Sequence, residues 1–355
     1  MTIRAREDVS MSEVQSCFLP GTKIQVAWDS TSLGYLKTCA RMYQYIMVEG
    51  WGSLDESIHL KFGIEYHQAL QEYDIARAQG SNHPDATRLA LHDLLKRIHD
   101  WEVDTDTKAG KYKNRRTLVA MVLDYLDHFA DDPAQTYIMK DGRPAVELSF
   151  RFELGWGPQA YAVNGIEWHE HGEYLDSKSG KRYNLVMKYA EVSQPYLLCG
   201  HLDRVVDFAG NLFVMDRKTT TTTLSSHYFD QWSPSNQMTL YTLASQIILD
   251  SPIKGVIIDA AQVLLTEPGR FVRGFTYRTP DQLNEWMDDL GHWLRLAEGY
   301  ATEGYWPQND TACDKFGGCR FREVCSKSPQ VREQFLKSSF DKLPEDQRWN
   351  PLKPR

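Results

Sequence analysis

GHLDRVVDFAGNLFVMDRKTT, residues Gly200–Thr220, reads as two strands joined by a tight turn. Apolar runs over Leu197–Phe208 and Leu212–Lys218 flank Ala209-Gly210-Asn211, the pattern of a β-hairpin. The first run carries Asp203; the second ends on Asp216, Arg217 and Lys218. Side chains alternate across a strand, so Asp216 and Lys218 face one side. An acid directly after the buried run Phe213–Met215 is costly unless it has partners. The next segment, Ser235 to Leu249, has helical periodicity and places Gln237 and Tyr241 one turn apart on one face.

Outward from the hairpin, helices come first and a sheet follows. STSLGYLKTCARMYQY, from Ser30, predicts a helix with Ser30 or Thr31 as N-cap. Leu60 to Arg77 predicts a second, carrying His67, and Ala86 to Ala130 an insertion of two or three helical pieces broken by KAGKYKNRR. VELSFRFEL, from Val146, alternates as a strand and contains Glu147. Gly155 to Gln194 reads as strands joined by loops. Lys254–Leu265 and Phe271–Arg278 read as strands, and Thr279-Pro280-Asp281-Gln282 opens a last long helix ending near Gly304. These elements predict one α/β domain over 23–328, with a mixed central sheet flanked by helices. A mobile arm over 1–22 and a loosely packed, charged tail over 329–355 complete the expected layout.

At 355 residues and 42% hydrophobic, the chain can bury a full core. No apolar run approaches the roughly 20 residues that span a bilayer, and the first residues lack a signal-peptide core, so a cytosolic protein without membrane attachment is expected. The net charge of -8 gives no bulk attraction to nucleic acid, so contact with DNA would need a local basic patch. Lys111, Lys113, Arg115 and Arg116, with Tyr112 among them, form such a patch or an ordinary solvated face.

Asp203 and Asp216 supply the carboxylates that Mg2+ or Mn2+ prefers, and the backbone carbonyl of Arg217 can add an oxygen. A metal held there would polarise water and phosphate, and Lys218 would orient the nucleophile or stabilise developing charge. Taken alone, His67 suits a packed helix face and Glu147 a solvent-facing strand position. Cys313, Cys319 and Cys325 fall in the polar segment ACDKFGGCRFREVC, with Cys39 as a distant fourth thiol. In a reducing compartment such clustering points to metal, with zinc and iron–sulfur both open from spacing.

The ordered series Gly63-x-x-x-His67, Glu147, Gly200-x-x-Asp203, Asp216-x-Lys218 and Gln237-x-x-x-Tyr241 resembles the PD-(D/E)XK nuclease superfamily, in particular its RecB-like branch. The resemblance implies a restriction-endonuclease-like core and metal ligation by His67, Asp203 and Asp216. It makes Lys218 the catalytic lysine, with Glu147, Gln237 and Tyr241 supporting the site. One cysteine before the core and three after it is similar to the iron–sulfur members of that branch. The implied [4Fe-4S] clasp joins Cys39 to the segment 313–325. The expected activity is a divalent-metal-dependent DNA exonuclease of bacterial or phage-infected cytosol, working beside a helicase, an annealing protein or a CRISPR integrase. A non-catalytic DNA-binding clamp subunit is the alternative.

Overall fold

In the computed structural model, residues 3–5, 16–53, 57–158, 171–175, 182–186, 194–314 and 318–353 are described. The elements run β1 (Ile3–Ala5), β2 (Ala27–Trp28), α1 (Ser30–Thr38), α2 (Ala40–Tyr43) and β3 (Trp51–Gly52). The helices α3 (Ile58–Ala78), α4 (His83–Arg97), α5 (Lys108–Tyr112) and α6 (Arg115–His128) follow. Then come β4 (Gln135–Thr136), β5 (Val146–Leu154), β6 (His171–Leu175), β7 (Arg182–Val186), β8 (Leu197–Phe208) and β9 (Asn211–Thr220). The remainder is α7 (Ser226–Asp230), α8 (Asn236–Leu249), β10 (Gly255–Gln262), β11 (Arg270–Thr276), α9 (Pro280–Glu303), α10 (Arg322–Cys325), α11 (Arg332–Ser339) and β12 (Asp341–Lys342).

The chain forms two compact units, one from Met1–Trp51, Phe150–Gly200 and Leu290–Arg355, the other from Gly52–Ser149 and His201–Asp289. The second unit holds a mixed sheet. β8 and β9 pair antiparallel with Arg204 opposite Met215, β9 and β10 run parallel with Asp216 opposite Ile258, and β10 and β11 are antiparallel. β4 adds antiparallel to β8. The β8–β9 turn is one residue shorter than the expected Ala209-Gly210-Asn211, because Asn211 already belongs to β9: Ala209 and Gly210 have φ of 54° and 76°, the left-handed pair whose twist matches a hairpin. Every residue of β10 is buried, as expected of a central strand reached through the crossover helix α8. Phe62, Tyr66, Leu70, Leu94, Leu118 and Val122 pack α3, α4 and α6 into one core that also takes in Ala261 and Val263. The helical insertion is thus an integral layer of this unit.

In the first unit β1 pairs antiparallel with β5 and β2 runs parallel to β8. Three expectations change here. The first helix stops at Cys39, whose φ of -164° and ψ of 117° are extended, and resumes at Ala40. Asn309 explains the break: its amide donates to the Thr38 carbonyl and its backbone N–H to Cys39 Sγ, fixing the chain outside helical geometry. The expected arm over 1–22 contains buried Cys17 and Leu19, with the Cys17 carbonyl accepting from Val26. The charged tail is packed through α11, where Leu336 is buried, and Trp349 Nε1 donates to Asp29 Oδ2 at 2.8 Å. Apolar side chains within polar segments overrode their composition. The long helix begins as the sequence implies, with Thr279 and Gln282 capping one another. Cys17 and Cys199 are buried small hydrophobes whose thiols burial pushes up to about 12.

Candidate metal centre

Asp203 on β8 and Asp216 on β9 are 8% and 1% exposed, and both belong to the second unit. Asp203 Oδ2 accepts the Arg217 backbone N–H at 2.9 Å and lies 3.3 Å from His67 Nδ1 on α3. Glu147 completes a trio: one ligand atom from each of His67, Glu147 and Asp203 lies within 4.8 Å of the others. Its φ of 49° places a non-glycine residue in the left-handed region, a strain of roughly 1–3 kcal/mol that turns β5 at the site. Lys218 Nζ is 3.0 Å from Asp216 Oδ1 in hydrogen-bond geometry, as strand alternation requires. The same ammonium is 2.8 Å from Oδ2 without alignment, so Asp216 Oδ2 is a buried carboxylate oxygen lacking a hydrogen-bond donor.

The two acids are driven apart electrostatically. Burial, partly offset by Lys218 and reinforced by the Asp203 charge, pushes Asp216 up to about 6. Burial also acts on Asp203, but His67, Lys218 and the Arg217 N–H outweigh it and hold that carboxyl well below its usual range. The Lys218 ammonium sits 5.4 Å from the Trp232 ring centroid, and Tyr228 is pushed up to about 12 by burial and by Asp216. Tyr228 has no sequence signal beyond its proximity to the hairpin. Gln237 Nε2 donates to the Tyr241 hydroxyl at 3.0 Å, joining the two residues expected to share a face of α8. Of the basic run, Lys111, Arg115 and Arg116 are exposed whereas Lys113 is buried.

A second layer escaped sequence reading. Arg217 points away from Lys218 and meets Asp74 Oδ2 on α3 at 2.5 Å, and Asp74 Oδ1 is 3.3 Å from Arg204. Arg204 also donates to Thr136 Oγ1 and to the Ala134 carbonyl, both at 2.9 Å. Asp132 binds Arg273 through two bonds of 2.6 and 2.7 Å, and Arg273 reaches Asp259, which also accepts from the Tyr125 hydroxyl. Three aspartates and three arginines thus balance one another on the side of β9 away from Asp216 and Lys218. A cavity of about 250 Å³ lined by Asp74, Asp132 and Arg204 adjoins them.

In the first unit Cys39, Cys313, Cys319 and Cys325 line one small cavity with Met42, Asn309 and Phe321. Cys39 Sγ accepts the Asn309 N–H at 3.3 Å, and the Cys319 N–H donates to the Cys313 carbonyl at 2.8 Å. Phe321 is 1% exposed and packs between Tyr45 and Phe340 in tilted contacts, with ring centroids at 5.1 and 4.6 Å. Among the described residues no three of these sulfurs fall within 4.8 Å of one another, unlike the His67 trio.

No helix among the described residues is long and apolar enough to cross a membrane. No curated protein matches the sequence. The chain is similar to a crystal structure described as "Putative exonuclease" from Eubacterium rectale, with a TM-score of 0.38 and 11% identity, over 87% of this chain and 92% of that one. The family model of the PD-(D/E)XK nuclease superfamily matches residues 30–326, a span that contains Asp203, Asp216, Lys218 and the four cysteines of the small cavity. This chain belongs to the PD-(D/E)XK nuclease superfamily.

Proposed function

We propose that this protein is a divalent-metal-dependent DNA exonuclease of the RecB-like, iron–sulfur branch of its superfamily. The observation that carries the reading is the convergence of His67, Glu147 and Asp203 beside a buried Asp216 oxygen without a hydrogen-bond donor. One imidazole and three carboxylates suit Mg2+ or Mn2+. The Arg217 carbonyl is a further candidate ligand: a strand residue's N–H and C=O point to the same side, and this N–H points to Asp203. The ion would supply Lewis acidity to phosphodiester hydrolysis. Asp216 holds the Lys218 ammonium within reach of the same place, where it can orient water or balance charge on the phosphate. Gln237 and Tyr241 would act as a bonded pair supporting the site, and Lys111, Lys113, Arg115 and Arg116 would contact DNA.

Cys39, Cys313, Cys319 and Cys325 line one cavity, as a shared metal site requires, and the resemblance to the iron–sulfur members of the RecB-like branch favours a [4Fe-4S] cluster over zinc there. The cluster would hold Cys39 to the 313–325 segment as a structural clasp. End-labelled single- and double-stranded DNA, digested with Mg2+ or Mn2+, tests the catalytic reading. Lys218→Ala and Asp216→Asn are each expected to lose at least a hundredfold in rate, and undiminished cleavage by both would place the active centre elsewhere. Iron and acid-labile sulfide near four per chain, with visible absorption lost in Cys313→Ser, would support the cluster; a colourless zinc protein would refute it.

A further inference from the structure

We infer that Lys113, His59 and the first turn of α3 form a phosphate-binding subsite for the DNA strand, separate from the metal centre; this rests on the nuclease reading. Lys113 is 5% exposed, and its ammonium lies 5.3 Å from the ring centroid of fully buried Phe62. Among the described residues no carboxylate, carbonyl or hydroxyl bonds to Lys113 Nζ. Lys113 Nζ does not belong to the fully buried unpaired polar atoms, so the stem is buried on Phe62 while the ammonium, with its three donors, keeps access to solvent and to an incoming anion. Burial lowers the proton affinity of Lys113, and partial burial, followed by the Lys113 charge, lowers that of His59. His59 is one helical turn from Phe62 on α3, so the Lys113 ammonium over the Phe62 ring and the His59 imidazole lie on one side of the helix.

The local fold holds Lys113 in place. Its N–H donates to the Ala109 carbonyl at 2.9 Å as the cap of α5, and the next residue, Asn114, caps α6 through a reciprocal bond with Thr117. Asn114 Nδ2 ties back to the Gly110 carbonyl at 2.8 Å. Gly110 must be glycine, because a Cβ there would lie 2.0 Å from the Asp104 carbonyl oxygen. The ammonium is thus presented by a braced turn rather than by a free side chain. α3 begins at Ser57 with no side-chain cap bond, so its first N–H groups add donors at the helix end that favours anions.

The position suits a strand leading to the metal centre. His59, Gly63 and His67 follow one another along α3, and His59 lies about 12 Å from His67 at 1.5 Å per residue. Midway, a Cβ on Gly63 would stand 4.0 Å from Thr219 Oγ1, next to Lys218, so this face of α3 lies within van der Waals range of the end of β9. A phosphate on Lys113 would belong to a nucleotide beyond the scissile one.

The test is binding of a fluorescein-labelled 12-mer oligodeoxythymidylate to the full-length protein in EDTA across a KCl series, which removes the metal contribution. Lys113→Met, which keeps the stem packed on Phe62, should weaken binding 3- to 10-fold and lower the log–log salt slope by about 0.7; Lys113→Arg should restore the slope. Single methylphosphonate substitutions walked along the oligonucleotide should reveal one position that weakens the unsubstituted protein and is silent in Lys113→Met. An unchanged slope in Lys113→Met overturns the subsite alone, whereas no binding by the unsubstituted protein overturns the DNA-acting reading beneath it. If Lys113→Met does not fold, the walk on the unsubstituted protein decides, and the absence of any such position overturns the inference.

Discussion

Asp74→Ala should be among the most damaging single substitutions outside the proposed metal ligands. Asp74 and Arg217 are each 3% exposed at the side chain and 2.5 Å apart. Without Asp74, Arg204 keeps Thr136, the Ala134 carbonyl and a distant Asp132 at 3.9 Å. Arg217 keeps much less: its Nε already lacks a partner, and the Tyr125 ring at 5.9 Å is a weak substitute. Removing one partner of a buried pair costs about 3–5 kcal/mol, because the surviving charge stays desolvated. Urea unfolding reads the total, and amide exchange across α3 and β9 reads where it falls. The double variant Asp74→Leu/Arg217→Met removes both charges and should recover most of the loss. A cost below about 1 kcal/mol for Asp74→Ala, or no recovery in the double variant, would refute the view that this pair bolts α3 to β9.

The pH dependence of metal uptake follows from Asp216. Its carboxyl is raised to about 6 and must lose its proton to ligate, so Mn2+ affinity should fall about tenfold per pH unit below that value, with one proton released on binding. Calorimetry in buffers of different ionisation enthalpy reads this proton, and a flat profile between pH 5 and 7 would remove Asp216 from the ligand set. In the metal-free protein the sign reverses for stability: ionising Asp216 opposes folding as pH rises towards 6, whereas the depressed Asp203 favours folding throughout that range. Gly200→Ala should cost about 1–3 kcal/mol, since its Cβ would meet Phe150 Cζ at 2.4 Å, and Phe150→Leu should relieve it. Ala209→Gly should raise the melting temperature by a degree or two, because relief of the roughly 1–2 kcal/mol strain at its φ of 54° exceeds the ~0.5–1 kcal/mol of added chain entropy.

What the sequence disclosed depended on how local each feature is. The hairpin, its turn and the shared face of Asp216 and Lys218 follow from alternation over a few residues, and all stand in the structure. The capping box of α9 is likewise local. His67 was different, since a histidine on a helix carries no mark of its partner, and only the resemblance singled it out. Glu147 joins His67 and Asp203 through a left-handed residue that strand periodicity does not signal. Asp74 was illegible because its partner is distant in sequence and an acid on a helix ordinarily faces water. The break at Cys39 was hidden for the same reason: Asn309, which creates it, lies 270 residues away.

The tripeptide Asp216-Arg217-Lys218 shows why the buried charges behind the sheet matter to the chemistry in front of it. Alternation sends Asp216 and Lys218 to one side and the Arg217 guanidinium to the other. Arg217 is therefore the one side chain of the three free to anchor the strand, while its backbone N–H fixes Asp203. The anchor is Asp74, two helical turns beyond His67 on α3, so one helix delivers both a proposed metal ligand and the restraint on the strand that holds the acids. A lysine at 217 would keep the charge but lose the planar fork, and with it the fixed direction of the bond to Asp74. Ligand spacing at such a centre must hold to about 0.2 Å, a tolerance that loops rarely meet and a buried ionic bolt between helix and strand can.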